Sequence, residues 1–217
     1  MEGTLLETGS LAPALKVLLL LGAAALIPAI LLSVTSFVRI VVVLSLLRQG
    51  LGAMQTPPTQ VIVGLALFLS AFTMAPVVEE IRTVAYEPMV RKEITEFEAI
   101  SRAVEPVERF MLRQTREADL GLFYSLSGKE LPRTPEEVPL SMAMPAFMLS
   151  ELTTAFQMGV IVLLPFLVVD LAVASLLMSM GMMMVPPTVM SLPIKLLLFV
   201  LVDGWSLVAG SLLRSFA

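Results

Sequence analysis

The sequence predicts an all-α membrane protein in which two long, kinked helical hairpins flank a small, mainly helical polar domain. Three observations support this prediction. First, 57% of the 217 residues are hydrophobic and the mean hydropathy is +0.92, whereas soluble domains are about 45–50% apolar. Second, more than two thirds of the charged side chains lie between Glu79 and Glu137, so the chain is apolar, then polar, then apolar. Third, a Pro-Pro-Thr sequence interrupts each apolar half.

The composition excludes several classes of chemistry. Because the chain contains no cysteine and no histidine, it offers no thiolate nucleophile, imidazole base, disulfide or ordinary zinc or haem ligand set. A net charge of −4 without a basic run gives no electrostatic footprint for nucleic acid. Two acids precede Lys16, the first basic residue, so the start lacks the positive region of a secretory signal peptide, and we expect the first apolar segment to be retained.

Residues 1–78 are predicted to form the first helical hairpin. The apolar run 15–47 would be about 50 Å long as one helix, well beyond a hydrocarbon core of about 30 Å, so it must bend, tilt or project. Pro28 is the predicted bend, because a proline inside a helix removes a backbone hydrogen bond and clashes with the preceding turn. A Pro-Pro turn at 57–58 then leads into a second apolar segment without charges, 61–78.

Residues 79–144 are predicted to form the polar domain. Acids outnumber bases there, and Val107, Phe110 and Met111 have the spacing of an apolar helix face. Arg48 lies beside the first Pro-Pro turn, so the positive-inside rule favours both turns in the cytoplasm and the polar domain outside it.

Residues 145–217 repeat the plan of the first hairpin. A long apolar stretch, 147–184, is followed by a methionine-rich Pro-Pro turn at 182–187 and by a last apolar segment, 194–213. Hydropathy therefore suggests four membrane-type segments in all. The second Pro-Pro-Thr echoes the first, and paired broken segments in corresponding positions point to a transport path.

Five charged side chains interrupt the apolar segments. Each would cost about 2.5–3.5 kcal/mol at the centre of a bilayer, so each needs a charged partner or water. Ion pairs between helices or subunits are the usual arrangement, and a polar conduit or proton relay is the alternative. The five are Arg39, Glu151, Asp170, Lys195 and Asp203.

Three consecutive methionines precede the second Pro-Pro turn. No single helix face can bury Met182, Met183 and Met184 together, so at least one of them must point into a loop, a lumen or a neighbouring molecule. Thioether chains are unbranched and polarizable. They suit either an irregular contact with lipid or helices, or an apolar constriction that excludes water and ions yet deforms around a passing chain.

Five long stretches carry motifs unlike generic hydrophobic sequence. They are IPAILLSVTSFVRIVVVLSLLRQGLG (27–52), TPPTQVIVGLALFLSAFTMAP (56–76), FMLRQTREADLGLF (110–123), PAFMLSELTTAFQMGV (145–160) and MGMMMVPPTVMSLPIKLLLFVLVDGW (180–205). Together they resemble the FliP family, the P-type subunits of the bacterial flagellar export gate, which have counterparts in injectisomes. The third stretch is closer to the flagellar branch.

The resemblance implies a non-enzymatic core subunit of a type III export channel, without a cofactor. Copies of the chain, thought to form a homo-pentamer, would assemble with Q-type and R-type gate subunits around unfolded export substrates. Other flagellar export membrane components and the ring and rod proteins of the basal body are the implied neighbours. The implied location is the bacterial inner membrane within the flagellar basal body, with the middle domain extracytoplasmic and some apolar segments buried in protein.

The resemblance also implies a role for the methionine-rich turn. Met182, Met183 and Met184 match the methionine gasket of the family, a loop that narrows the export lumen. Pro186 and Pro187 would hold that loop turned inward.

Charged residues receive roles from the same resemblance. Glu151, Lys195 and Asp203 match charged positions of the family motifs, and all five charges of the apolar segments are expected at subunit contacts. Arg113 and Arg116 match an extracytoplasmic element at which copies would associate.

Two other functions are compatible with the residues alone. A proton-coupled small-molecule transporter would use Glu151, Asp170 and Asp203 as proton carriers, and the paired Pro-Pro breaks motivate it. A membrane-embedded aspartyl hydrolase is the weaker alternative, because the apolar segments carry no paired-carboxylate signature.

Overall fold

The structure, a computed structural model, describes residues 8–53, 56–129, 132, 134, 137–182 and 184–216. Within these ranges it contains helices and their connections and no strand, which confirms the predicted all-α class. The α-helices are α1 (Thr8–Ser33), α2 (Phe37–Gly50), α3 (Thr59–Ile81), α4 (Glu87–Val90), α5 (Glu96–Gln114), α6 (Glu117–Ser127), α7 (Leu140–Ser179), α8 (Pro187–Leu201) and α9 (Gly204–Arg214). A π-helical turn, Arg82–Tyr86, joins α3 to α4.

The first apolar run is interrupted at residues 34–36, between α1 and α2. Pro28, the predicted bend, lies inside α1, which continues past it as one helix. The interruption has a local cause, because the Thr35 hydroxyl donates to the Leu32 carbonyl (3.1 Å) and accepts the Phe37 N–H (3.4 Å). Such side-chain bonds offer the backbone an alternative to the helical pattern. The hydroxyl-rich sequence therefore decides where the helix ends.

Helix α2 lies at the centre of the apolar core. Its buried residues Ile40, Val43, Leu44 and Leu47 have the i, i+3, i+4, i+7 spacing of one helix face. The same core cluster contains side chains of four other helices, namely Ile62, Ala66, Ala155, Phe166, Phe199 and Leu212. The two hairpins therefore share one core.

Helix α5 connects the polar segment to both hairpins. It begins with a capping box, in which the Thr95 hydroxyl accepts the Glu98 N–H and the Glu98 carboxylate accepts the Thr95 N–H. Further along, Phe110 and Met111 are buried, as the apolar spacing predicts. They form a second cluster with residues of α3 and α7, namely Met74, Val77 and Phe147. The polar segment is thus anchored on both apolar halves.

Two helical segments, Thr59–Val90 and Leu140–Ser179, are long and apolar enough to cross a membrane. Helices α8 and α9 make a third candidate if the pair, which is bent by 64°, counts as one span. Within the described ranges the structure therefore supports two or three membrane-type segments, where hydropathy suggests four. The domain boundaries at residues 78 and 144 stay predictions.

Candidate functional site

The second hairpin turn is built around a glycine in the left-handed conformation. Helix α7 ends at Ser179, and Gly181 has a φ of +75°. The Met182 N–H donates to the Leu177 carbonyl (2.9 Å), and the Gly181 N–H donates to the Met178 carbonyl (3.0 Å). These two bonds form a Schellman motif, which satisfies carbonyls at the helix end and sets the direction in which the chain leaves α7.

The turn leaves its methionines exposed. Met178, Met180 and Met184 are 60%, 64% and 96% exposed, and Met182 is 38% exposed. Met183 lies outside the described residues. The turn that follows this helix end therefore carries pliable apolar side chains on its surface.

Two prolines close the turn. Pro186 is the extended residue before α8, with a ψ of 119°, and Pro187 is the first residue of the helix. The N–H that proline lacks would have no helical partner at this position. The two prolines therefore start the helix and stiffen its entry, while their role in a gate stays a prediction.

A buried lysine ties both helices of this turn to the first hairpin. The Lys195 Nζ of α8 donates to Asp170 Oδ2 of α7 (2.6 Å) and to the Gly50 carbonyl at the end of α2 (3.0 Å). Ser191, one turn earlier on α8, donates to the other Asp170 oxygen. Because Lys195 is only 2% exposed, these partners are what make its charge tolerable. The network joins α2, α7 and α8.

A second buried ion pair lies near the other end of α2. Arg39 binds the Glu151 carboxylate through two nitrogens, with 2.9 Å between Nε and Oε2. Its remaining donors reach the Ser215 carbonyl (2.9 Å) and the Gln114 side-chain oxygen (3.1 Å), and its guanidinium carbon lies 3.9 Å from the centre of the Phe216 ring. Glu151 is 0% exposed, so the bidentate pair supplies the stabilisation that water cannot. The network joins α2, α5, α7 and the residues that follow α9.

Asp203 lies in the break between α8 and α9. Its φ of 50° and ψ of 54° are left-handed, a conformation that aspartate adopts more readily than most residues. It is exposed, and no described residue forms an ion pair with it. Beside it, Gly204 approaches Phe199 so closely that a β-carbon would lie 2.2 Å from the ring, and Phe199 packs edge-on against Trp205. This packing sets the bend between α8 and α9 and leaves the Asp203 carboxylate exposed.

Arg116, in the polar segment, pairs with a carboxylate of its own chain. Its Nε and Nη2 lie 2.7 and 2.9 Å from the two oxygens of Asp119. The Ser150 hydroxyl of α7 donates to Asp119 (2.5 Å) and accepts the Arg116 N–H (3.0 Å). Hydrogen bonds from Arg116, with that from Ser150, hold the pKa of Asp119 below its ordinary value although burial acts in the opposite direction. Arg113 is exposed, and an association role for either arginine stays a prediction.

The structure pairs four of the five charges of the apolar segments with one another inside the chain, Arg39 with Glu151 and Lys195 with Asp170. A role for them at subunit contacts stays a prediction. Sequence reasoning missed their polar neighbours. Ser191 carried a signal, since a residue four positions before Lys195 shares its helix face. The contacts of Arg39 with Gln114 and Ser215 left no signal in the sequence, because they join distant parts of the chain.

Comparison with known proteins identifies close relatives. The model of the FliP family matches residues 20–212. The flagellar biosynthetic protein FliP of Pectobacterium carotovorum subsp. carotovorum is 54% identical over 203 residues, which cover 93% of this chain and 78% of the relative. The protein of the same name from Bacillus subtilis (strain 168) is 50% identical over 201 residues, covering 93% of this chain and 91% of the relative. The protein of the same name from Caulobacter vibrioides is 53% identical over 191 residues, which cover 88% of this chain and 72% of the relative.

Proposed function

Because the chain belongs to the FliP family, we propose that it is a core subunit of the flagellar type III protein export gate. In this proposal, copies of the chain surround the path of an unfolded export substrate. The methionine turn is the compliant seal that closes the path between substrates. The subunit performs no catalysis, and other export components supply the drive.

The exposed methionine turn is the observation that carries the proposal. Apolar side chains are normally removed from water, yet Met184 is 96% exposed in a turn that follows a hydrogen-bonded helix end. Thioether chains can repack around an object of changing shape. A ring of such side chains excludes water and ions when it is closed.

The helices behind the turn support a seal that works by side-chain movement. The ion pair of Lys195 with Asp170 joins α8 to α7, and the bond from Lys195 to the Gly50 carbonyl joins both to α2. A hairpin held in this way keeps its turn in place. The methionine side chains, with three rotatable bonds each, can then adapt to a substrate while the helices remain fixed.

The outer face of α7 supports assembly into a larger complex. Side chains along nearly three turns of the helix are exposed and apolar, namely Ile161, Leu164, Leu167, Val168 and Leu171. Such a face requires lipid or protein against it. We assign it to further copies of the chain, to Q-type and R-type gate subunits and to lipid of the bacterial inner membrane.

The wider surroundings follow from the same proposal. Other flagellar export membrane components and the ring and rod proteins of the basal body are the neighbours of the gate. Residues 79–144 are the extracytoplasmic part, and Arg113 and Arg116 contribute to association between copies there. The exposed side chain of Arg113 and the partly exposed side chain of Arg116 support this role.

The assembly is tested by native mass spectrometry of the detergent-purified protein. The chain is expressed alone and together with its Q-type and R-type partners. We expect a discrete multimer that takes up both partners. A monomer or dimer that ignores them would contradict the proposal.

The seal is tested by shortening its side chains. In proteoliposomes that contain the complete gate, the combined change of Met182, Met183 and Met184 to Ala should raise ion leakage severalfold, because the apolar constriction widens. The control is Met89→Ala, which shortens a half-buried methionine of α4 far from the turn in sequence. Equal leakage in both variants would remove the seal from the proposal.

A further inference from the structure

Methionines of this chain differ widely in their access to small molecules in solution. The turn residues Met180 and Met184 are 64% and 96% exposed, whereas Met111 and Met74, in the core around α5, are 0% and 7% exposed. The same chain therefore contains both exposed and buried thioethers. Among the described methionines, the most exposed ones lie at this turn, and Met190 (47%) lies in the first turn of the helix that follows it.

The exposed thioethers have a defined chemistry with peroxides. A hydroperoxide transfers one oxygen atom to the sulfur: the O–O bond breaks, an S–O bond forms, and the second oxygen leaves as water or an alcohol. Sulfur is oxidised by two electrons and the peroxide is reduced by two. The product, methionine sulfoxide, is polar and can be reduced again by methionine sulfoxide reductases.

No thiol in the chain competes for the oxidant, since the sequence contains no cysteine. Thioethers are therefore the sulfur groups that a peroxide meets first, and exposure decides among them. The turn methionines are exposed while the helix end before them keeps its hydrogen bonds, so their sulfur atoms are reachable without any unfolding of the helices.

We infer that the turn of Met178, Met180, Met182 and Met184 is a reversible sulfoxidation site, at which a hydroperoxide turns an apolar seal into a polar, leaking one. The consequence for leakage rests on the proposed function, in which the turn lines the export path. A constriction that gates by excluding water fails when its lining becomes polar. In that proposal the turn faces the aqueous path on either side of the constriction, so a small peroxide reaches it after copies have assembled.

The site is tested by peptide mapping of the purified gate after brief treatment with hydrogen peroxide. The four turn methionines should gain oxygen at least about tenfold faster than Met111, because the core must open before a buried sulfur reacts. Turn methionines that oxidise no faster than Met111 would overturn the inference, whatever the gate does.

The consequence is tested by ion leakage of proteoliposomes before and after the same treatment. Leakage should rise severalfold and return after incubation with methionine sulfoxide reductases. A variant in which Met183 and the four turn methionines are changed to Leu should show no rise, whereas Met89→Leu should rise like the wild type; each variant is measured against its own untreated sample. Complete oxidation without a rise would overturn the inference.

The Ala variants of Met182, Met183 and Met184 keep the two ideas separable. If those variants leak and oxidised wild-type protein does not, the seal stands and the oxidation switch fails. If neither leaks, the proposed seal itself fails.

Discussion

The two hairpin turns begin with the same backbone feature and differ in their side chains. Each places a glycine of positive φ five residues before Pro-Pro-Thr, Gly52 (77°) in GAMQTPPT at 52–59 and Gly181 (75°) in GMMMVPPT at 181–188. Each glycine N–H donates at 3.0 Å to the carbonyl three residues earlier, that of Gln49 or Met178. The similarity covers the glycine and the helix end before it and stops at the prolines, because α3 begins at Thr59, after both prolines, whereas α8 begins at Pro187, the second proline of its pair.

The side chains of the first turn bind and pack, whereas those of the second are displayed. Leu51, directly before Gly52, is 3% exposed, and Arg48 donates to the Pro57 carbonyl (3.3 Å) and the Thr59 hydroxyl (3.1 Å). Met180, directly before Gly181, is 64% exposed. In both turns the glycine and its backbone hydrogen bond end the helix. The side chains can therefore pack against the core, as in the first turn, or stay exposed, as in the second.

The largest effect is expected from Lys195→Ala, because this lysine links the second hairpin to the first turn. Removal leaves the Asp170 carboxylate and the Gly50 carbonyl without their partner, and loss of one member of a buried pair costs about 3–5 kcal/mol. Denaturant unfolding in detergent, followed by fluorescence of Trp205, the single tryptophan, measures the loss. Lys129→Ala, which removes an exposed lysine, is the control, and equal stability of the two variants would contradict the prediction.

The next effect compares equivalent positions of the two turns. Leu51→Ala should destabilise the protein by about 2–5 kcal/mol, as expected for a buried leucine, whereas Met180→Ala should stay within about 0.5 kcal/mol. The difference follows from burial, since the backbone position is the same. The same unfolding measurement applies, and similar losses in both variants would break the comparison.

A smaller and equal effect is expected at the two glycines. Gly52→Ala and Gly181→Ala should each cost about 1–2 kcal/mol, because a β-carbon is strained in the left-handed conformation. Both positions have room for a β-carbon: the nearest atom would lie 3.9 Å away at Gly52, and none would lie within 4 Å at Gly181. Gly64→Ala, in the interior of α3 with open space around it, should instead stabilise by about 0.5–1 kcal/mol. Clearly unequal losses would show that the two glycine positions are not equivalent.

The smallest effect is expected from Arg48→Ala. It removes two hydrogen bonds of the first turn from a partly exposed site, so we expect a loss of about 1 kcal/mol. Amide hydrogen exchange should accelerate at residues 51–53 and stay unchanged at residues 180–182. Faster exchange at both turns would mean that the first turn supports the second.

The local features of the sequence predicted local structure well. The apolar face of α5, the two Pro-Pro turns and the helical class were all predictable, because residue spacing and proline geometry act over a few residues. The sequence predicts the bend at Pro28, but α1 continues past this proline and ends at Ser33. The hydroxyl side chain of Thr35, which bonds to the Leu32 carbonyl, marks the break instead. The methionine turn was identified, but its glycine was not, because glycine alone does not reveal a positive φ.

The charged residues mark the limit of such prediction. The sequence identified Arg39, Glu151, Asp170 and Lys195 as charges that need partners, since none of them is tolerated alone in an apolar segment. It left open which residue pairs with which, and the alternative of a proton relay remained. Arg39 and Glu151 are separated by 112 positions, so their contact depends on how α2 and α7 lie against each other.

The sequence by itself determined the helical class, the apolar–polar–apolar order and the two turns, because hydropathy, helix spacing and proline stiffness are properties of short segments. Tertiary structure alone decided which charges meet, that Lys195 reaches the Gly50 carbonyl, and that one turn packs while the other is exposed. These outcomes depend on the rotation and axial position of packed helices. The rotation and axial position of the helices are set by close packing of side chains from distant parts of the chain. One example is Leu46 of α2 against Gly159 of α7, where a β-carbon added to Gly159 would lie 2.2 Å from the Leu46 side chain.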